Sequence, residues 1–168
     1  MTEKSTRNLH DPKSYRIYRL YKILFESCVD VFGKRTGLSD ALINRLFESN
    51  EIEELPTYTK AILVEKMLDE LQNINKPKSE LIESLSSPRM KLVKQTMIDN
   101  GLEWDGVREY IHFRILPNYR DFIQTYADDT LGEVIELAIA NFINNRTDFE
   151  FNLIEISFSY NVLSVKNK

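Results

Sequence analysis

Apolar residues recur at three- and four-residue intervals along most of this chain, and at two-residue intervals in two later stretches. Residues 1–13 are polar and read as a frayed tail. From Ser14, a good N-cap, Tyr15, Tyr18, Tyr21 and Phe25 repeat at helical spacing with Ile17, Leu20 and Leu24 alongside, which predicts a helix to about Val31. Lys13, Arg16, Arg19 and Lys22 lie between them as a basic stripe. Thr36-Gly37-Leu38-Ser39 breaks the pattern, and Ser39 caps a second predicted helix over residues 39–49. Pro56-Thr57 opens a third, with Ala61, Val64, Leu68 and Leu71 on one face. Residues 73–79 are polar, contain Pro77 and mark a linker. A short helix over residues 81–85 follows, then another with Pro88 at its first position, stopped at Asn100-Gly101.

Beyond Gly101 the texture changes. Residues 110–115 alternate as a strand does, with Ile111, Phe113 and Ile115 on one side and His112 and Arg114 on the other. Residues 119–126 and 130–144 read as helices. The tail alternates again through Phe149, Phe151 and Leu153, then Ile154, Ile156, Phe158 and Tyr160, which predicts one bulged strand or two. The expected fold is mainly α: an N-terminal helical domain over residues 14–75, a linker and helix over 76–100, and an α+β region over 101–168 with short strands around 110–116 and 149–160. That last region is expected to dimerise or to bind a partner.

Residues 29–48, VDVFGKRTGLSDALINRLFE, place Gly33 before a turn at Gly37, with Leu38, Ile43 and Leu46 on the inner side of the helix that follows. This spacing resembles the helix-turn-helix of lambda-repressor-like and lac-repressor-like regulators over residues 15–72. The resemblance implies that residues 39–48 form a recognition helix in the major groove. Asp40, Ala41, Asn44 and Arg45 would then meet base edges, and Arg45 would fork onto guanine. Thr36 and Ser39 would hold phosphates, and Lys34 and Arg35 would add non-specific attraction. A weaker resemblance, carried by the strand at 110 and by TLGEVIELAIANFI (residues 130–143), is to ribbon-helix-helix proteins. It implies strand pairing between two chains, with His112 and Arg114 outward and Thr130 at a phosphate-binding helix start.

Charge adjusts this picture. The net charge of −4 argues against a polyanion partner, but residues 1–47 hold nine Lys/Arg against five Asp/Glu, and the remainder thirteen against twenty-one. A basic end on an acidic body suits one face offered to double-stranded DNA. Cys28 is the single cysteine, which excludes an intrachain disulfide and a four-thiolate zinc site, and points to a reducing, cytoplasmic compartment. The N-terminus lacks a signal peptide's apolar stretch, and the greasiest run, residues 134–143, is too short for a bilayer and holds Glu136.

No metal or cofactor site and no catalytic residue is expected. His10 and His112 lack ligand spacing, GKRTG lacks the Walker spacing, and Tyr126-Ala127-Asp128-Asp129 has none of the flanks of a polymerase hairpin. Two non-enzymatic readings stay open. One is a homodimeric, sequence-specific DNA-binding transcriptional regulator. The other is a protein–protein interaction module, an adaptor or inhibitor, using the acidic body and the C-terminal strand.

Overall fold

The structure is a computed structural model that describes residues 13–33, 55–128 and 130–167. Among these residues, seven helices surround one two-stranded sheet. Strand β1 (Lys13–Tyr18) leads directly into helix α1 (Arg19–Phe32). Helix α2 (Leu55–Asn73), the single-turn α3 (Lys78–Leu81), a 3-10 turn (Ile82–Ser86) and α4 (Pro88–Asp99) follow. Strand β2 (Arg108–Phe113), α5 (Pro117–Tyr126), α6 (Leu131–Asn144) and α7 (Asp148–Lys166) complete the order. The mainly helical class with a small β part is as the periodicity implies.

Two expected elements are overturned. Residues 14–18 are not the first turns of a helix. Ser14, Arg16 and Tyr18 face out while Tyr15 and Ile17 are buried, so the period here is two, and β1 pairs antiparallel with β2 from Lys13 opposite Phe113 to Tyr18 opposite Arg108. Ser14 caps nothing; its hydroxyl lies 2.6 Å from His112 Nδ1 on the neighbouring strand. The tail is not a strand either. Phe151, Ile154, Phe158 and Val162 form the buried stripe of α7, at intervals of three and four. A capping box starts that helix: Thr147 Oγ1 accepts from Glu150 N–H, and the Glu150 carboxylate accepts from Thr147 N–H.

The expected helix over residues 39–49 lies outside the described residues; among those described, the remaining expected elements stand close to where the sequence puts them. Ala61, Val64, Leu68 and Leu71 are all buried on α2. Ser87 caps α4 with Pro88 at its first position, and Gly101 ends it at φ +77°. Thr130 caps α6 by accepting from Glu133 N–H.

Helix α6 is the axis of the fold. Every residue from Val134 to Ile143 is buried, including Glu136 and Asn141. Helix α2 packs along it, β1 crosses its first turns, and α1 and α7 pack on each other. One continuous apolar core joins Tyr15 and Ile17 of β1 to Phe142 of α6 and Phe158 of α7. At Gly132 the β1 backbone approaches α6 so closely that a Cβ would stand 1.8 Å from Arg16 O. Glu136, one turn on, is held there because its carboxylate accepts from Tyr18 N–H at 2.8 Å and lies 4.0 Å from Arg108. Strand β2 thus finds its partner within its own chain, at the edge where the ribbon-helix-helix resemblance calls for a second subunit.

Candidate nucleic-acid interface

Alternation along β1 and β2 does two jobs. The inner face, Tyr15, Ile17, Ile111 and Phe113, is sealed into the core, and burial pushes the Tyr15 hydroxyl pKa up to about 12 against a smaller opposing pull from Arg120. The outer face carries six residues: Ser14, Arg16 and Tyr18 on β1, and Arg108, Tyr110 and His112 on β2. Cross-strand pairing puts a cation beside an aromatic ring twice. The Arg16 guanidinium lies 5.6 Å from the Tyr110 ring centre, and that of Arg108 lies 4.2 Å from Tyr18. Tyr110 and His112, two apart on one strand, hold their rings within 11° of parallel at 6.5 Å. Tyr110 is 57% exposed.

The row continues beyond the sheet. Tyr18 meets Trp104 edge-on at 6.0 Å, and Lys94 stands 4.3 Å above the Trp104 ring. Burial lowers the Lys94 pKa, an effect its neighbour Lys91 reinforces and Asp105 resists.

A groove flanks each side of this ribbon. One, of about 360 Å³, is lined by Lys22, Glu26, Lys60, Ile111, Arg114 and the edges of Tyr110 and His112. The other, of about 600 Å³, runs between Arg16, Arg108 and Tyr110 and the first residues of α6, Thr130 to Gly132. The two grooves hold five fixed cations (Lys22, Lys60, Arg114, Arg16 and Arg108) against the carboxylates of Glu26 and Asp105. Glu109 moderates the first groove, since it takes Arg19 at 2.7 Å and stands 3.7 Å from Lys22.

The basic stripe expected on the first helix is thereby divided. Arg16 goes to the outer face of the sheet, while Arg19 and Lys22 sit on α1 beside Glu109. His112 and Arg114, taken from the ribbon-helix-helix resemblance, do face away from the core, His112 on the sheet and Arg114 just past its end. Arg16, Tyr18, Arg108 and Tyr110 were not expected as site residues, although the two-residue period of residues 14–18 was in the sequence to be read.

Lys34, Arg35, Thr36, Ser39, Asp40, Ala41, Asn44 and Arg45 lie outside the described residues. Gly33, the last described residue before them, is the C-cap of α1, and a Cβ there would meet Val29 O at 2.6 Å and Thr59 Cγ2 at 3.2 Å. No protein family, curated protein or solved structure matches this chain.

Exposed rings beside guanidinium groups can stack bases while the cations meet phosphate oxygens. A two-stranded ribbon also fits the width of the B-DNA major groove. Asp128 of the Tyr126-Ala127-Asp128 stretch serves the scaffold instead, pairing with Lys78 at 2.8 Å, and Lys78 also reaches Glu133 at 3.0 Å. Among the described residues no group of three or more His, Cys, Asp or Glu side chains is placed to hold a metal ion, and no helix is long and apolar enough to cross a membrane.

Proposed function

We propose that this chain is a DNA-binding regulator of the cytoplasm that grips duplex DNA with the outer face of its β1–β2 ribbon. The observation that carries the reading is the paired row Arg16–Tyr110 and Arg108–Tyr18 on the outer sheet face, with Arg16 and Tyr110 exposed and Tyr18 and Arg108 half-buried, flanked by Lys22, Lys60 and Arg114. An acidic protein concentrates its cations in this way where one surface must attract a polyanion. The N-terminal helix-turn-helix pattern supports the same reading from the sequence. In this proposal residues 39–48 read bases, with Arg45 as the chief reader, while the ribbon supplies phosphate contacts and stacking.

Fluorescence anisotropy on a labelled random-sequence duplex, repeated across a salt series, tests this. Binding should weaken steeply with salt. Arg16→Ala should weaken it on every sequence alike and reduce the salt slope by about one ion. Arg45→Ala should cost about 1–3 kcal/mol on a preferred sequence and relax one base preference. Tighter binding to a single strand than to the duplex, with loss in Tyr110→Ala, would assign the ribbon to base stacking and overturn the duplex reading. Absence of salt-sensitive binding to either would overturn both.

A further inference from the structure

Helix α7 has two apolar stripes on opposite sides, and only one of them is covered. Phe151, Ile154, Phe158 and Val162 face the core. Phe149, Leu153, Ile156, Tyr160 and Leu163 follow each other at steps of four, three, four and three, which places them within one narrow stripe on the far side. Phe149 is 69% exposed, Ile156 69%, Tyr160 76% and Leu163 46%, with Leu153 half-buried among them. This double periodicity is what mimics a strand in the sequence, because a residue two positions from an inward one often falls on the outward stripe.

We infer that the outward stripe of α7 is the contact between two copies of this chain, packed as an antiparallel helix pair about a two-fold axis at Ile156. Three features favour a second copy. The steps of the stripe are nearly the same read in either direction from Ile156, so Phe149 would meet Leu163 of the other copy and Leu153 would meet Tyr160. A two-fold contact requires this kind of self-complementarity. The residues of α7 flanking the stripe along its middle are Asn152, Ser157, Ser159 and Ser164, small and uncharged, so the helices bring no like charges of their own together there and the backbones can approach to about 8–10 Å; a nearby charge is Asp30 of α1, whose carboxylate accepts from Ser157 and Asn161. The exposed apolar area of the stripe is about 500 Å² per copy, hence at most about 1,000 Å² for a pair, which is the size of a weak, concentration-dependent interface. The antiparallel sense also sets opposite ends of the helix dipoles side by side.

Sedimentation velocity of the full chain over a wide concentration range tests the pairing. Wild type is expected to pass from monomer towards dimer as concentration rises. Ile156→Asp should raise the dissociation constant at least about 100-fold, because each substitution enters the interface twice. Its circular dichroism and melting temperature at low concentration should match wild type. If Ile156→Asp fails to fold, Tyr160→Ser provides the same comparison at the most exposed position. Orientation is read by oxidising a mixture of Phe149→Cys and Leu163→Cys chains; the native Cys28 is buried and does not compete. Disulfide-linked mixed pairs are expected, and linkage of like chains only would overturn the antiparallel arrangement. A wild type that stays monomeric throughout, or a dimer indifferent to Ile156→Asp and Tyr160→Ser, would overturn the pairing while leaving the ribbon's role intact.

Discussion

Gly132→Ala is the sharpest test of how the sheet is held against the helical body. On an isolated helix the change is favourable, since alanine is better than glycine by about 0.8–1 kcal/mol. In the fold the new methyl would stand 1.8 Å from Arg16 O and 2.9 Å from Arg16 C, both backbone atoms. Ordinary contact lies more than an ångström farther out, so β1 or the first turn of α6 must move. Either movement disturbs Ile17, fully buried, and the bond from Tyr18 N–H to Glu136. Overpacking with a backbone shift costs about 1–3 kcal/mol, and loss of a hydrogen bond to a charged group costs about 1.5–3 kcal/mol. Allowing for the helical gain, the net loss should be about 1.5–5 kcal/mol. In a chain of this length that lowers the melting temperature by roughly 3–20 °C. Urea denaturation gives the free energy and a thermal melt the temperature. A Gly132→Ala protein as stable as wild type, or more so, would refute the close approach of β1 to α6.

Further outcomes follow from single contacts. Glu136 is buried, and that burial raises its pKa above the ordinary 4.5 despite the opposing Tyr18 N–H and Arg108. The fold therefore holds this proton more tightly than the unfolded chain does. The associated stability is complete below the ordinary value and is lost as pH rises through the raised one. Glu136→Gln should accordingly gain on wild type in melting temperature as pH climbs from 4 towards 7, and a difference that stays constant or shrinks would count against it. Lys78→Met removes the ammonium that joins Asp128 and Glu133 and should lose about 1.5–3 kcal/mol in urea unfolding. Thr147→Ala breaks the capping box of α7 and should cost about 1 kcal/mol. Cys28 is fully buried and its thiol pKa is pushed up by that burial, so a thiol reagent should label it only at the rate of unfolding.

Much of the scaffold was legible because its signals are local. Ser87-Pro88, Asn100-Gly101 and Thr130 specify their helix ends through cap chemistry that needs no tertiary partner. The two misread segments have a common cause. Residues 14–18 carry apolar side chains that satisfy both a helical and a strand period, and the choice is made by a strand about ninety residues away, at Arg108–Phe113. Residues 149–160 imitate a strand because α7 is apolar on two sides; Thr147 with Glu150 was the local sign of a helix. The ribbon face depended on the same distant pairing. Arg16 and Tyr110 become neighbours only once β1 and β2 align.

Duplex contact at the ribbon is best tested by nuclear magnetic resonance titration of the labelled chain with a short duplex. Amide shifts concentrated on Ser14–Tyr18 and Arg108–His112, saturating together with those of residues 39–48 and reversed by salt, are the expected result. Saturable shifts that leave both strands untouched, or no shifts at low salt, would contradict it.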